Sequence, residues 1–287
     1  MGIFLKWVGS FILIGVLVST HIVFSKLAQH TSNHLATIRS NLHTQHMQAL
    51  TRPQTTAPVQ VRKILSRYDR KIFFRHLRTR FPRYQKHFQN AAQKNDLPWK
   101  LLASQAYQES HWNRRARSPT GVRGIMMLTR RTAASLGIRN RLDPKKSIYG
   151  GARYLTIMQQ RIPTSVPIPD RTFFALAAYN VGLGHVQDAR ILAIRKQKNP
   201  DRWQDMMQVL PLLSQKKYYR SLPHGYARGP EPVTYVQRIR AYQVLFDEKM
   251  SKKSFVTNRE KRGKMRRITT KRIPYHSPAW VRKDTGV

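Results

Sequence analysis

Apolar residues are distributed along this chain in three regimes. From Lys6 to Lys26 no charged residue occurs, and WVGSFILIGVLVST is almost wholly apolar. A run of that length at an extreme N-terminus reads as a transmembrane anchor or a signal segment over residues 1–25, with a buried helix as the alternative. No small-x-small cleavage site follows Thr20, which favours the anchor. Residues 26–60 are rich in Thr, Gln, His and Asn and lack apolar periodicity, so they read as a flexible polar linker. From residue 61 the apolar spacing becomes helical.

The first helical stretch, Val61 to Phe88, is basic and studded with aromatics, and Pro82 splits it in two. From Asn90 to Phe246 each segment opens and closes with helix signals. Asp96 reads as a cap, with Pro98 in the first turn of WKLLASQAYQES. Asp143 and Pro144 repeat that recipe, and Ile148, Ala152, Leu155 and Met158 share a face. DRTFFALAAYNVGLGHVQDARILAI opens at Asp170 and is interrupted by Gly182 and Gly184, where two helices meet. A short helix ends at Pro211, and an amphipathic one starts at Pro232. No alternating strand pattern competes. The expected fold is all-α, one helical domain over residues 61–246. The basic remainder, 247–287, reads as a disordered tail.

Charge narrows the partners. The 287 residues carry 53 Lys and Arg against 13 Asp and Glu, a formal net charge of +40. Nucleic acid, an anionic membrane surface or an acidic wall polymer would all attract such a chain. The N-terminal segment puts the remainder outside the cytoplasm, so nucleic acid is not expected as a partner. The absence of cysteine excludes disulfides, thiolate metal sites and a cysteine nucleophile. His30, His34, His43 and His46 match no tight metal-site spacing, and neither metal nor cofactor is expected.

Against that charge one acid stands out. Between Asp96 and Asp143 the only Asp or Glu is Glu109. It follows Leu102 and Ala106 on the apolar face of its helix, near the helix's end. A carboxyl there is desolvated and its pKa rises, which suits a general acid at neutral pH. An ordinary solvent-facing glutamate is the alternative. Gly121 and Gly124 bracket a turn after it, where small residues admit close backbone approach to a ligand.

Four ordered motifs then stand together: YQESHWNRRARSPTGVRGIMMLT, LDPKKSIYGGARYL, FFALAAYNVGLGHV and YYRSLPHGYARGPEPVTYVQRIRAY. Over roughly Tyr68 to Phe246 the chain resembles the SLT-type lytic murein transglycosylases, most closely the catalytic domain of their membrane-bound F-type branch. The resemblance implies an α-rich, lysozyme-like fold with a deep glycan-binding cleft. It implies that Glu109 is the single catalytic acid and that Ser110 hydrogen-bonds near the reacting sugar. Gly124, Ile125 and Met126 match a Gly-Leu-Met-Gln motif. Met127 stands where most such enzymes have Gln, a departure shared with the F-type branch. Tyr179 and Asn180 match the motif lining the cleft opposite the acid, and Tyr235 matches a tyrosine directed at it. Substrate contacts are thus implied for Ser110, Met126, Met127, Tyr179, Asn180 and Tyr235. From the residues alone, Tyr179 and Tyr235 read equally well as core aromatics with satisfied hydroxyls.

The implied activity is non-hydrolytic cleavage of the MurNAc-β-1,4-GlcNAc bond of peptidoglycan to 1,6-anhydromuramyl ends, Glu109 acting as acid and then base. The implied location is the periplasmic side of the cell envelope, anchored in the membrane, with basic regions touching anionic wall or membrane. F-type enzymes carry a solute-binding-like module ahead of this domain, so its regulation is expected to be absent here or supplied by another protein. The alternative function is a non-catalytic peptidoglycan-binding scaffold that keeps the fold.

Overall fold

In a computed structural model the described residues are 57–269, with side chains over 61–250, and helical residues at 26, 28–34 and 37 inside the segment expected to be a flexible linker. The apolar N-terminal segment lies outside them. Among the described residues no helix is long and apolar enough to cross a membrane.

Local chemistry explains where the helices begin. Helix α1, Ala57–Ile64, gives way at Ser66 to α2, Arg67–Thr79. Ser66 Oγ accepts from the Asp69 amide at 3.0 Å while Asp69 Oδ2 accepts from the Ser66 amide at 3.1 Å. That reciprocal capping box satisfies two of the helix's orphan donors. Pro82 sits in a 3₁₀ turn, Phe81–Arg83, before α3, Gln85–Lys94.

Helix α4, Trp99–Ser110, starts differently from the sequence expectation. Its N-cap is Pro98, which offers no side-chain acceptor, and Asp96 instead takes a left-handed conformation at φ 57°. After α5, Arg130–Ser135, helix α6, Pro144–Arg161, is capped as expected, with Asp143 Oδ1 accepting from the Lys146 amide at 2.8 Å.

Helices α7, Asp170–Val181, and α8, Leu183–Arg195, meet at Gly182, whose φ of 97° only glycine adopts freely. Gly184 does not break the chain. It is helical, and a Cβ there would lie 2.4 Å from the His224 ring. Helix α9, Trp203–Val209, ends just before a 3₁₀ turn, Leu210–Ser214, that contains Pro211. The single-turn α10, Lys216–Tyr219, leads to α11, Pro230–Thr269. α11 starts two residues before Pro232, which falls in its first turn. It also continues through residues 247–269, where the sequence pattern predicts a disordered tail. Residues 270–287 lie outside the described set.

The all-α expectation holds among the described residues, whose only bridges are isolated: Arg117 with Arg123, and Arg123 with Leu128. α4 is the central helix. Its residues Leu101 to Tyr107 are all buried, so it is enclosed on every side rather than striped. α11 packs along α4 and α7, α3 packs on α4 and α6, and α6 packs on α7. Phe73, Tyr107, Trp112, Tyr242 and Phe246 interlock in this core, with Phe73 stacked on Tyr242 at 5.2 Å. Removing one such ring costs about 3–5 kcal/mol, so the last turn of α4 rests on a rigid platform.

Candidate active site

Glu109 occupies that last turn, where α4 leaves the core. The chain then reverses through two consecutive left-handed residues, His111 at φ 52° and Trp112 at φ 55°. Such conformations cost a non-glycine residue on the order of 1 kcal/mol each. Burial of Trp112 and its Nε1 donation to Ala103 O at 2.9 Å offset that strain. The reversal opens a cleft of about 500 Å³ lined by Gln108, Glu109, Ser110, Arg115, Arg117 and Met127, among others. No second carboxylate lines it.

The loop facing Glu109 is held by three bonds. Ser110 Oγ donates to Ile125 O at 2.8 Å, Tyr179 Oη donates to Met126 O at 2.8 Å, and the Met126 amide donates to Ser147 Oγ at 3.2 Å. Gly124 makes the loop's tight seat feasible. Its φ is 87°, and a Cβ would stand 1.9 Å from Arg141 O. The close approach is thus to the protein's own backbone, not to a ligand. Arg141 clasps the other side, donating from Nη1 to Gly121 O at 2.9 Å and Leu128 O at 2.8 Å.

The carboxyl has one polar partner among the described residues. Tyr235 Oη donates to Glu109 Oε1 at 2.5 Å, and Gln105 Nε2 donates to Tyr235 Oη at 3.2 Å. Burial pushes the Glu109 carboxyl up to about 8, the Tyr235 hydrogen bond pulling the other way. Burial and the neighbouring Glu109 charge hold the Tyr179 and Tyr235 hydroxyls protonated, well above the ordinary tyrosine range. At neutral pH the site therefore offers one protonated acid, positioned by a phenol that stays a donor. Among the described residues no group of three or more His, Asp or Glu side chains is placed to hold a metal ion, and His43 and His46 lie outside them.

Residues 86–204 match the family model of the transglycosylase SLT domain. Among curated proteins, it is 58% identical over 175 residues to membrane-bound lytic murein transglycosylase F 2 of Alkalilimnicola ehrlichii, covering 61% of this chain and 39% of that one. It is 55% identical over 179 residues to membrane-bound lytic murein transglycosylase F of Saccharophagus degradans, covering 62% of this chain and 36% of that one. The matched part is thus well under half the length of these relatives. Among solved structures, the 70 kDa soluble lytic transglycosylase of Escherichia coli aligns at a TM-score of 0.43 and 22% identity, over 58% of this chain and 24% of that one.

The geometry of the cleft sorts the expected site residues. Glu109, Ser110 and Met127 line the cleft, and Tyr235 reaches Glu109 from α11, beyond the residues the family model matches. Met126 does not face a ligand: its side chain is fully buried against Gly151, and only its backbone serves the loop. The Ser110 hydroxyl proton goes to the Ile125 carbonyl rather than into the cleft. Tyr179 holds the loop facing the acid, while Asn180 is exposed and is not among the cleft's lining residues. Met127 sits at φ 46°, a strained backbone for a thioether side chain that partly faces the opening. The sequence reading passed over Gln105, Arg115 and Arg117. Gln105 carried a legible signal, a polar side chain four residues before Glu109 on the same buried face.

Proposed function

We propose that this chain is a lytic transglycosylase of peptidoglycan in which Glu109 does the proton chemistry alone. The observation that carries the reading is a solitary carboxyl, pushed up to about 8 by burial, hydrogen-bonded by Tyr235 and open to a cleft without a second carboxylate. Hydrolytic glycosidases ordinarily need two carboxylates. With one, the protonated Glu109 gives its proton to the oxygen bridging muramic C1 and the glucosamine ring. The C1–O bond breaks and the glucosamine leaves as an alcohol. The substrate's acetamido oxygen stabilises the positive charge at C1, as in substrate-assisted glycosidases. The Glu109 carboxylate then takes the proton of the muramic C6 hydroxyl while O6 attacks C1. The acid is restored, a 1,6-anhydro ring closes, and no water enters. One group that both gives and takes a proton works best with a pKa near the working pH.

The reading extends to place. The N-terminal apolar segment would anchor the chain on the periplasmic side of the envelope, and the net positive charge would hold it on anionic wall or membrane, an attachment that salt should weaken. The whole chain incubated with purified murein sacculi tests the chemistry by mass spectrometry. Anhydromuramyl fragments, lighter by one water than hydrolysis products, are expected. Reducing muramic ends would make it a hydrolase, and binding without fragments would make it a scaffold.

A further inference from the structure

One wall of the cleft carries charge that the proton chemistry does not use. Between Glu109 and Asp143 the chain has eight arginines and no Asp or Glu. Elsewhere cations find acids: Arg190 pairs with Asp201, Arg228 with Glu231, Arg238 with Asp69 and Lys100 with Asp247. Among the described residues none of these eight forms an ion pair. Arg115 and Arg117 line the same cleft as Glu109.

The backbone crowds these charges instead of spreading them. Arg117 and Arg123 face each other across an antiparallel bridge. The flanking bonds run from the Gly124 amide to Ala116 O at 3.0 Å and from the Ser118 amide to Val122 O at 3.1 Å. That makes Arg117 and Arg123 a non-hydrogen-bonded pair, the register in which opposed side chains approach closest. Like charges directly opposite are destabilising there. The Gly121 amide closes the tip on Ser118 O, and the Arg123–Leu128 bridge fastens the base, so the backbone beneath the pair is fixed in that register. The charges of Arg123 and Arg130 add to burial in disfavouring the Arg141 cation behind it. Like charges gathered on a fixed backbone at the edge of a binding cleft favour an anion between them.

We infer that Arg115, Arg117 and Arg123 form a carboxylate-receiving wall that grips the peptide carried on the muramic residue, so that peptide-bearing glycan is preferred over peptide-stripped glycan. The inference rests on the proposed function, which puts a muramic ring beside Glu109. The peptide leaves that ring at its lactyl ether, and each extended residue reaches about 3.3–3.6 Å further. A free carboxylate two or three residues along therefore lies within reach of a wall in the same cleft. Guanidinium is the fitting cation, because its planar fork meets a carboxylate with two parallel hydrogen bonds. The wall thereby becomes a specificity element and leaves bond cleavage to Glu109.

The test measures binding with turnover removed. The full chain carrying Glu109→Gln is titrated with three soluble probes: peptide-bearing glycan strands, amidase-stripped strands, and peptide-bearing strands whose carboxylates have been chemically amidated. Adding Arg117→Gln and Arg123→Gln should weaken binding of the first probe about tenfold, the scale of a lost charge-assisted pair, and leave the other two nearly unchanged. Removing two exposed cations elsewhere, Lys86→Gln with Arg153→Gln, should not reproduce that selectivity. Arg→Lys at 117 and 123 should recover only part of the loss, since the charge returns without the fork. The melting temperature should hold or rise as the repulsion is relieved. In the active chain the Gln pair should raise KM for peptide-bearing strands with kcat unchanged. Equal weakening of all three probes, or none, overturns the wall while leaving the chemistry at Glu109 standing. Failure to bind any strand overturns the glycan reading and the wall together.

Discussion

Two carboxylates of this domain solve burial in opposite ways. Asp188, in the interior of α8, is wholly buried, and both its oxygens are occupied: Oδ1 by His224 Nδ1 at 2.9 Å and Oδ2 by the His224 amide at 3.0 Å. Glu109 is less buried by area, yet among the described residues it has one donor, Tyr235, and its other oxygen is left to the cleft. What separates a structural acid from a reactive one here is therefore not depth but the number of donors. Two donors and no opening make Asp188 a clamp that ties the segment before α11 to α8. One donor and an opening leave Glu109 with a proton to give. Changing each residue in turn tests the contrast.

The largest expected effect is at Glu109. Glu109→Gln keeps the shape and the Tyr235 contact but has no transferable proton, so turnover on sacculi should fall roughly 10²–10⁴-fold while the fold survives. Retained turnover in a Gln variant that folds normally would remove the mechanism.

Stability against pH sharpens the contrast next. The carboxyl of Glu109 is pushed from 4.5 up to about 8, so the folded state holds a proton that the unfolded state has released. Its contribution is full below pH 4.5 and drains away as pH rises through 8, by roughly 2–4 kcal/mol once its wet face is allowed for. His76 runs the other way. Burial, helped by the Arg80 and His111 charges, lowers it from 6.5 to about 4. Its contribution is therefore present above pH 6.5 and lost as pH falls through 4. Melting temperatures from pH 4 to 9 should show both flanks, and Glu109→Gln should flatten only the alkaline one.

Asp188 should show the converse of Glu109. Asp188→Asn keeps an acceptor for the His224 amide, but its N–H₂ can meet Nδ1 only if the imidazole carries its proton on Nε2, and the charge-assisted bond is lost either way. A stability loss of about 1–3 kcal/mol in denaturant melts is expected, with turnover per folded molecule unchanged. A variant that stays stable but loses turnover would erase the distinction between the two acids.

Much of this was legible in the sequence, for reasons that differ by element. Helix starts built from side-chain chemistry, such as Asp143 with Pro144, were readable because the cap lies in the residues themselves. The start of α4 was not, because Pro98 occupies the cap position and Asp96 takes a left-handed turn two residues earlier. The extension of α11 to Thr269 was hidden because residues 247–269 lack apolar periodicity. Glu109 was legible by its isolation and helical phase. Met126 was not separable from the cleft residues beside it, because residue types alone do not show that its side chain packs inward on Gly151 while its backbone serves the site. The Arg117–Arg123 pairing depends on a turn and register that residue types alone do not specify.

The smallest effect, and the finest test of how donors set the acid, lies one residue behind the tyrosine. Gln105 Nε2 occupies a lone pair of Tyr235 Oη, which leaves the phenol's hydrogen for Glu109. That donation also makes the phenol more acidic and hence a stronger donor to the carboxylate. Gln105→Met keeps the volume and deletes the amide. The Glu109 carboxylate then loses part of its stabilisation, its pKa rises further, and the alkaline limb of kcat should move to higher pH by less than about one unit. Turnover at pH 7 should change by no more than about threefold. Tyr235→Phe, which removes the donor itself, should move the limb the same way and further. A purely packing role for Gln105 would lower kcat at every pH without moving the limb. A shift toward lower pH would mean that the amide competes with Glu109 for the phenol instead of directing it.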